Sequence, residues 1–543
     1  MSISAPRVLP ILALGLSLVS AGASAGRASF IEVSTGAGLT GTYDSLQTGF
    51  GMGAAVADFD GDGFVDIFLP TAPGTAPLLY QNQGDGTFDD VAADRGLTST
   101  EAFRAALWLD YDGDDRLDLL LGADCFVRDC TQVTSFTRLY RQTAQGSFED
   151  VTVAAGLFDT SYDDEAHRSG FAAGDIDGDG DVDFVSSFWK GNLRLFLNQG
   201  DGTFADMTAT SGIDAQAVAY HQPVLQDFDG DGRIDLYSTV DFTENRLWLN
   251  QGTTPAGVPT LVEVAQEAGC ANAMNDMGIA LGDPDQDGDL DAYITNIYRD
   301  GFHNVLLNNQ STVGAPSFSE ISGAAGVQDG AWGWGATFFD LENDGDLDIA
   351  EVNGWHTNTW DSPSRLFVHQ GTSPPTFVDQ AAALGFTADD WGSSLAAFDY
   401  DLDGDLDLFE TVPKLSSSAT SHDLRLHQNQ LDGGGATTRF LLVRPRMDGA
   451  NRRALGAKVT AHTGADGRVR WISAGGSYLG QEPAEAFFGL GNAGVVDRLD
   501  IEWPNGKRTV QVEIAVDQVI TVQDQEIFRS GFESGDLSHW SAP

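Results

Sequence analysis

A nine-residue acidic segment that occurs seven times constrains this chain more than any other feature. The first copy, DFDGDGFVD, occupies residues 58–66. The seven copies begin at Asp58, Asp110, Asp175, Asp227, Asp283, Asp340 and Asp399. Successive copies are 52, 65, 52, 56, 57 and 59 residues apart. A period of this size indicates a repeat architecture in which each copy belongs to one supersecondary unit.

Each repeat has the pattern of about four short antiparallel strands. A small-residue apolar run precedes the acidic segment, and an apolar strand such as VDIFL follows it. An alternating segment ending near Asn or Gln comes next, and then a strand that begins near a phenylalanine. Alternation with period two and Gly-rich turns are typical of the blades of a β-propeller. We therefore predict an all-β protein with a seven-bladed β-propeller over residues 26–430.

The seventh repeat lacks a fourth strand, and a matching segment lies instead before the first repeat. It is recognised at Phe88, Phe148, Phe204, Leu261, Phe318 and Phe377, whereas the seventh repeat lacks it. A matching element, SFIEVSTGAGL, lies before the first acidic segment at residues 29–39. We expect this N-terminal strand to complete the last blade, because such closure removes the exposed strand edge.

The acidic segments have the pattern D-x-D-x-D-G-x-x-D, which supplies hard oxygen ligands. We predict about seven Ca²⁺ sites, because Ca²⁺ takes six to eight oxygens in flexible geometry. Carboxylates at positions one, three, five and nine and the backbone carbonyl of position seven are the expected ligands. The pattern differs from an EF-hand, which needs twelve residues and a terminal glutamate. Acidic hairpins without metal are the alternative.

The predicted metal ligands are Asp58, Asp60, Asp62, Phe64 and Asp66 in the first loop; Asp110, Asp112, Asp114, Arg116 and Asp118 in the second; Asp175, Asp177, Asp179, Asp181 and Asp183 in the third; Asp227, Asp229, Asp231, Arg233 and Asp235 in the fourth; Asp283, Asp285, Asp287, Asp289 and Asp291 in the fifth; Asp340, Glu342, Asp344, Asp346 and Asp348 in the sixth; and Asp399, Asp401, Asp403, Asp405 and Asp407 in the seventh. Glycine at position six allows the sharp turn. The second loop has Asp115 there and the sixth has Glu342 at position three, so these two sites are expected to be the weakest.

The acidic composition limits the partners of this protein, and the N-terminus predicts its location. The chain has 80 acidic and 29 basic residues, a balance that repels nucleic acid and anionic membranes. Residues 1–25 have a basic start, an apolar core and an Ala-Ser-Ala cleavage site, which predicts a signal peptide. No segment is apolar over the length needed for a transmembrane helix. We therefore expect a secreted, extracellular or cell-surface protein.

Three cysteines follow the predicted signal peptide. Cys125 and Cys130 could form a disulfide in an oxidising compartment, or remain a pair of thiols. Cys270 is then left single, and we expect it to be buried. Zinc is disfavoured, because no CxxC pair or histidine cluster accompanies these residues.

The motifs resemble a known family along nearly all of the mature chain. The seven acidic repeats resemble the FG-GAP/VCBS repeats of integrin α-subunit propellers. After a Gly-rich linker at 431–438, residues 439–524 resemble the ASPIC/UnbV domain through NRRALGAKVTAHTG, GGSYLGQEP and FFGLGNAGVVDRLDIEWPNGK. The combination resembles the cartilage acidic protein 1 family, which implies a secreted Ca²⁺-binding propeller with a small β-sandwich-like domain and no established catalytic residues.

Two parts of the chain remain open to alternative interpretations. The tail at 525–543 is either a surface or secretion signal or a frayed end. Aromatic and histidine side chains collect away from the acidic loops or near the expected central channel, where they either contact a ligand or fill the packing between blades. These are Trp189, Phe242, Tyr298, His303, Trp355, His356 and Trp360, with His167, His221, Trp332, Trp334 and Trp391 nearer the channel.

The sequence favours a Ca²⁺-dependent module for interaction with, or adhesion to, an extracellular protein or glycan. A carbohydrate-binding or carbohydrate-acting protein that uses the aromatic face is the alternative, and a purely structural matrix protein is the third. No GxSxG, HExxH or Walker motif is present after the predicted signal peptide, so no catalytic residue is assigned. Asp361, Asp390 and His356 are the residues that an enzyme hypothesis would test first.

Overall fold

The structure is a computed structural model that describes residues 28–41, 51–124, 135–159, 167–213, 216–299, 301–354, 363–387, 391–412, 424–431 and 438–524. These described residues form 36 short strands and four single-turn helices. The predicted signal peptide and C-terminal tail lie outside them, as do Cys125 and Cys130. Cys270 lies within them as a free, buried thiol, which confirms that prediction.

Seven antiparallel sheets of one design follow each other along the chain. The first strand, β1 (Phe30–Glu32), belongs to the last sheet. Sheet 1 contains β2 (Ala55–Ala57), β3 (Asp66–Leu69), β4 (Leu78–Asn82) and β5 (Phe88–Asp90); sheet 2 contains β6 (Phe103–Leu109), β7 (Asp118–Ala123), β8 (Thr137–Gln142) and β9 (Phe148–Asp150); and sheet 3 contains β10 (His167–Gly174), β11 (Asp183–Trp189), β12 (Arg194–Asn198) and β13 (Phe204–Asp206).

The remaining four sheets continue the same order. Sheet 4 contains β14 (Ala219–Gln226), β15 (Asp235–Glu244), β16 (Arg246–Thr253) and β17 (Pro259–Glu263), with β18 (Ala273–Asn275) paired to β15; sheet 5 contains β19 (Ile279–Gly282), β20 (Asp291–Ile294), β21 (Val305–Asn309) and β22 (Phe318–Glu320); sheet 6 contains β23 (Gly333–Phe339), β24 (Asp348–Asn353), β25 (Arg365–His369) and β26 (Phe377–Asp379); and sheet 7 contains β27 (Leu395–Phe398), β28 (Asp407–Thr411) and β29 (Leu424–Asn429). The all-β prediction, with four-stranded repeats, is confirmed.

Local sequence explains the acidic loop of every repeat and the helical turn that ends four of them. Every acidic loop joins the first and second strands of its sheet, and its ninth residue begins the second strand. A single helical turn follows the fourth strand of sheets 3 to 6. These turns are α1 (Thr208–Ser211), α2 (Ala265–Ala268), α3 (Ser322–Ala325) and α4 (Ala381–Leu384). Each ends at a glycine with a left-handed backbone, such as Gly212 with φ 97°, so the helix cannot continue.

The N-terminal strand contacts the end of the repeat region. Strand β1 pairs antiparallel with β29, and Phe30 lies opposite Asn429. The Met52 amide also donates to Ser393 Oγ at 3.0 Å. The cluster of buried side chains that contains Val56 also contains Phe398 and Phe409. The first and seventh sheets therefore share one apolar core.

The C-terminal region forms two further sheets. One contains β30 (Arg439–Arg446), β33 (Ala486–Gly491) and β36 (Gln518–Gln523), with β30 and β36 parallel; the other contains β31 (Lys458–Thr463), β32 (Asp466–Trp471), β34 (Val495–Glu502) and β35 (Arg508–Ala515). Its buried Tyr478 and Leu499 belong to the same core cluster as Phe171 of sheet 3 and Trp334 of sheet 6. Within the described part of the chain, no helix is long and apolar enough to cross a membrane.

Candidate metal centres in the acidic loops

In each acidic loop, backbone amides donate hydrogen bonds to the carboxylate of the aspartate at position one. In the first loop, Asp58 Oδ1 accepts a hydrogen bond from the Gly61 amide at 2.8 Å, and Oδ2 accepts one from the Gly63 amide at 3.1 Å. Asp175 makes the equivalent bonds to Gly178 and Gly180 in the third loop. The side chain therefore replaces part of the backbone hydrogen bonding that a tight loop cannot supply for itself.

The aspartate at position nine is the buried end of each site. Both carboxylate oxygens of Asp66 accept backbone hydrogen bonds, from Phe59 at 3.0 Å and from Asn82 at 2.8 Å. The position-nine residues are Asp66, Asp118, Asp183, Asp235, Asp291, Asp348 and Asp407, and all are at most 1% exposed. Their carboxylates are therefore fixed in position by the sheet.

The structure brings the predicted carboxylates together. In each of five loops, three aspartates have a carboxylate oxygen within 4.8 Å of the other two. These groups are Asp58, Asp60 and Asp62; Asp110, Asp112 and Asp118; Asp175, Asp177 and Asp183; Asp227, Asp229 and Asp235; and Asp283, Asp285 and Asp291. A cluster of hard oxygen donors of this size fits a cation such as Ca²⁺.

Burial makes these carboxylates costly to ionise without a counter-charge. It raises the pKa of Asp66 to about 9 and that of Asp118 to about 8. At Asp177, burial and then the nearby charge of Asp179 raise the pKa to about 7. A bound cation would supply the missing positive charge, so the donor set fits the predicted metal.

Backbone geometry confirms one expectation and adds another. Position six is left-handed, with φ 98° at Gly63, and Asp115 adopts φ 72° in the second loop as its short polar side chain allows. Position four is left-handed as well. Glycine occupies it in loops one to four, but Gln286, Asn343 and Leu402 occupy it in loops five to seven, with φ between 55° and 60°. This second requirement was not predicted from the sequence.

Amide side chains at the end of the third strand connect neighbouring sheets. Asn82 Nδ2 donates to the backbone oxygen of Tyr400 at 2.8 Å, across from sheet 1 to the loop of sheet 7. The other amides reach the loop of the preceding sheet: Gln142 to Phe59 (3.0 Å), Asn198 to Tyr111 (2.7 Å), Asn250 to Ile176 (2.7 Å), Asn309 to Phe228 (3.1 Å) and Asn429 to Leu341 (3.0 Å). The recurring Asn or Gln in the sequence therefore positions the loops.

Some neighbouring side chains compete with a cation for the predicted ligands. Arg116 and Arg233, at position seven, direct their guanidinium groups onto the position-five carboxylates Asp114 and Asp231. From the sequence, these arginines were predicted to contribute only a backbone carbonyl. In the sixth loop, the hydrogen bond from His369 lowers the pKa of Asp346. The seven loops are therefore not equivalent in charge.

The C-terminal sheets carry basic side chains to the acidic loops. Arg452 Nε donates to the Gly113 oxygen at 3.0 Å, and Lys458 Nζ donates to the Gly288 oxygen at 2.6 Å. Arg468 Nη2 lies 3.3 Å from the oxygen of Asp344. These contacts place the C-terminal sheets against the side of the repeats that carries the acidic loops, which the sequence did not predict.

Most of the aromatic side chains near the expected channel are packed rather than exposed. His221, Trp332, Trp334 and Trp391 are all buried, so packing and not ligand contact is the correct interpretation for them. Phe242 and Tyr298 are 63% and 51% exposed. His303 is hydrogen-bonded to Glu320. Trp355, His356, Trp360, Asp361 and Asp390 lie outside the described residues.

A family comparison and a comparison with known relatives agree with these motifs. Residues 447–527 match the family ASPIC and UnbV, and residues 58–121, 175–238 and 227–294 match the FG-GAP-like repeat. Cartilage acidic protein 1 of Mus musculus is 24% identical over 92% of this chain and 79% of its own length. The human and Xenopus tropicalis proteins are each 26% identical over 57% of this chain, which spans about half of their length (48% and 49%).

Similar solved structures include BBS1N in complex with ARL6DN and the BP39L lectin from Burkholderia pseudomallei. They share 9% and 10% identity with this chain, with TM-scores of 0.41 and 0.42. The alignments cover 74% and 71% of this chain and 96% and 97% of those chains. With its FG-GAP-like repeats followed by an ASPIC and UnbV domain, the chain belongs to the same family as cartilage acidic protein 1.

Proposed function

We propose that the protein is a secreted calcium-binding propeller that acts as a Ca²⁺-dependent interaction module for an extracellular protein or glycan. One observation carries this proposal: in each of five loops, three carboxylate oxygens lie within 4.8 Å of one another, and in four of these loops the group includes the buried aspartate at position nine. Such clusters are strongly repulsive without a cation. Oxygen-only ligands at this density favour Ca²⁺ over Zn²⁺, which prefers nitrogen and sulfur.

The proposed architecture is a closed ring of seven blades, one for each sheet. Its support is the pairing of β1 with β29 and the hydrogen bond from Asn82 to Tyr400, both of which join the first and last repeats. Closure would leave no exposed strand edge in the ring. It would also hold all seven acidic loops on one face.

Metal stoichiometry tests the proposed function directly. The full-length protein is stripped with a chelator, reloaded with Ca²⁺, and analysed by atomic emission together with isothermal titration calorimetry. We expect about seven ions per chain, held mainly by oxygen ligands. Neutralising the first loop with Asp58→Asn, Asp60→Asn and Asp66→Asn should remove one ion and leave the other sites occupied.

A charge-matched control separates a specific site from general acidity. Asp89→Asn, Asp94→Asn and Glu149→Gln remove the same charge from exposed positions outside the acidic loops. We expect this variant to retain the full number of ions. If it loses as much Ca²⁺ as the first-loop variant, or if the wild-type protein binds none, the calcium proposal fails.

A carbohydrate-binding role is the second candidate, and a group of half-buried aromatic rings beside the exposed Phe242 favours it. The rings of His167 and Trp189 are 5.9 Å apart, and those of Trp189 and Phe242 are 6.5 Å apart. Lys190 Nζ lies 4.6 Å from the Trp189 ring. Phe242 is exposed with a left-handed backbone at φ 72°, an unfavourable conformation for a bulky residue.

A glycan array with and without Ca²⁺ tests this second role. The wild-type protein is compared with Phe242→Ala, and with Val378→Ala as a control, because Val378 is exposed on the outer strand of sheet 6. Glycan binding that only Phe242→Ala weakens would support the aromatic surface. Turnover of a bound glycan would instead favour the enzyme hypothesis and contradict a pure interaction module.

A further inference from the structure

Four arginines of the C-terminal domain lie together beside the first two acidic loops. Arg444 and Arg446 are two residues apart in β30, so their side chains leave the same face of that strand. Arg452 and Arg453 follow in the connection to β31. All four line a cavity of about 40 Å³. A basic cluster of this kind is unexpected in a chain with 80 acidic and 29 basic residues.

The structure places this cluster directly against the loops. A Cβ added to Gly63, at position six of the first loop, would lie 3.7 Å from Arg444 Nη1. Arg452 Nε donates to the Gly113 oxygen of the second loop at 3.0 Å. The Arg444 side chain is only 13% exposed. The arginines are therefore held between the loops and the C-terminal sheet and do not extend into solvent as isolated surface side chains would.

These arginines lack the partners that buried guanidinium groups normally have. Among the residues that the structure describes, only Arg444 of the four has an ion-pair partner, which is Glu485 at 2.9 Å. Even so, Arg444 Nη2 is buried without a hydrogen-bond partner, and so is Arg453 Nε. Buried polar groups are nearly always hydrogen-bonded, so unpartnered N–H donors on two residues that line one cavity point to a missing acceptor.

Burial makes the positive charge of this cluster costly to hold. Burial, and then the nearby charge of Arg453, lower the pKa of Arg446 to about 10. Burial also lowers the pKa of Arg453. Charges of one sign that are brought together away from water are stabilised by an opposite charge among them.

The acidic loops beside the cavity use their carboxylates for their own backbone. Asp58 and Asp110 both line the cavity. Asp110 Oδ1 accepts from the Asp114 amide at 3.1 Å and Oδ2 from the Asp115 amide at 2.9 Å, and Asp58 makes the equivalent bonds in its loop. A cation bound in either loop would neutralise these same carboxylates and leave the arginines with less opposite charge nearby.

From this geometry we propose that the cavity binds a small inorganic anion, such as chloride or sulfate, between Arg444, Arg446 and Arg453. The cavity is larger than the ~10–15 Å³ that one water molecule needs and far smaller than the ~300–1,000 Å³ of pockets for organic ligands. A glycan or a peptide is therefore too large for it. The anion would neutralise the cluster, through charge-assisted hydrogen bonds, where the C-terminal sheet meets the first two loops.

The anion site is independent of the proposed calcium function. Its donors belong to the C-terminal domain, and its occupancy is measured by anion binding and not by metal content. Failure of the calcium proposal would therefore leave it intact, and failure of the anion proposal would leave the metal sites untouched.

Isothermal titration calorimetry on the full-length protein tests the anion site. Chloride and sulfate are titrated separately into protein in a gluconate buffer of constant ionic strength with Ca²⁺ in excess, so that the two titrations identify the anion. We expect one ion per chain. Binding should be at least about tenfold weaker in Arg453→Met, which removes the charged donors of this side chain.

Arg141→Met is the matched control, because it removes the same charge from an exposed arginine that is paired with Glu149. We expect it to leave the anion affinity unaltered. The proposal is overturned if the wild-type protein binds neither anion, or if both variants lose the same affinity.

A second measurement uses only the wild-type protein and remains informative if Arg453→Met does not fold. Crystals are grown with bromide or with selenate, which replace chloride and sulfate and scatter X-rays anomalously. We expect an anomalous peak within hydrogen-bond distance of Arg444 Nη2 or Arg453 Nε. Peaks confined to other surface sites would indicate an adventitious ion only and would contradict the proposal.

Discussion

The Asn82 side-chain amide donates a 2.8 Å hydrogen bond to the backbone oxygen of Tyr400, although 318 residues separate them. The same amide donates to the Val65 oxygen within its own sheet, and Asn82 is 1% exposed. This one side chain therefore ties the first acidic loop to the seventh. It is the long-range counterpart of the amide bonds that connect five of the other sheets to their predecessors.

Removing that amide should destabilise the protein. Asn82→Ala leaves two buried carbonyl groups without their donor, and we expect a loss of about 1–3 kcal/mol in the free energy of unfolding. Gln83→Ala, at the neighbouring exposed position, is the control and should change the free energy by less than about 0.5 kcal/mol. Urea unfolding in excess Ca²⁺ measures both. Equal effects would show that the bond to Tyr400 contributes nothing measurable.

Leu402 occupies a backbone conformation that suits glycine, with φ 56° at position four of the seventh loop. A left-handed backbone costs a residue with a Cβ roughly 1–2 kcal/mol. We expect Leu402→Gly to stabilise the protein by about 0.5–1 kcal/mol, after the loss of some side-chain packing. The reverse change at the same position of the first loop, Gly61→Leu, should destabilise it. Thermal unfolding of both variants measures whether each substitution raises or lowers stability. A loss of stability in Leu402→Gly would show that the left-handed backbone at Leu402 is not strained.

Arg233 should weaken calcium binding to the fourth loop, because its guanidinium group pairs with the position-five carboxylate of Asp231. Because the pair is partly exposed to solvent, it should reduce the Ca²⁺ affinity of the loop only slightly. We expect Arg233→Gln to raise the Ca²⁺ affinity of that loop roughly two- to fivefold. Calorimetric titration measures the change. Arg141→Gln removes an exposed arginine paired with Glu149 and should leave the affinities unaltered.

Glu351 should make stability depend on pH. It is fully buried, accepts hydrogen bonds from Tyr293 and Asn304, and burial raises its pKa to about 8. The folded state therefore holds this proton more tightly than the unfolded state, so stability falls as pH rises from about 4.5 through about 8. Between pH 5 and pH 8, the free energy of unfolding of Glu351→Gln should therefore fall by roughly 1–3 kcal/mol less than that of the wild-type protein.

The measurement for Glu351 is the free energy of unfolding of both proteins across this pH range, with Ca²⁺ held in excess. Glu320→Gln, an exposed carboxylate in the same repeat region, serves as the control. Parallel pH profiles for the wild-type protein and Glu351→Gln would show that Glu351 does not titrate in this window.

Calcium removal should lower thermal stability strongly. A single site at tenfold excess of free ion over its dissociation constant stabilises the folded state by roughly 1.4 kcal/mol, and several such sites add. We expect a large fall in the midpoint of thermal unfolding in chelator, and recovery when Ca²⁺ is restored. Mg²⁺ at equal concentration should restore less, because it resists dehydration. Identical melting curves in Ca²⁺ and in chelator would exclude a structural role for the ion.

The sequence alone determined the local features of this protein. The acidic repeat, its strand on each side and the need for a left-handed residue at position six follow from patterns within nine residues. The fourth strand, the N-terminal strand and the buried Cys270 were predicted in the same way, and the structure contains them. Local patterns are visible in a sequence because turn geometry and strand alternation depend on neighbours in the chain.

Only the tertiary structure decided how distant parts meet. The bond from Asn82 to Tyr400 and the bond from Arg452 to the Gly113 oxygen have no signature in spacing or composition. Trp334 and Trp391, which the sequence left as candidate ligand contacts, are buried core residues in the structure. These outcomes depend on which surfaces are brought together on folding. Contacts between residues hundreds of positions apart produce no periodic pattern in the sequence, so they cannot be predicted from it.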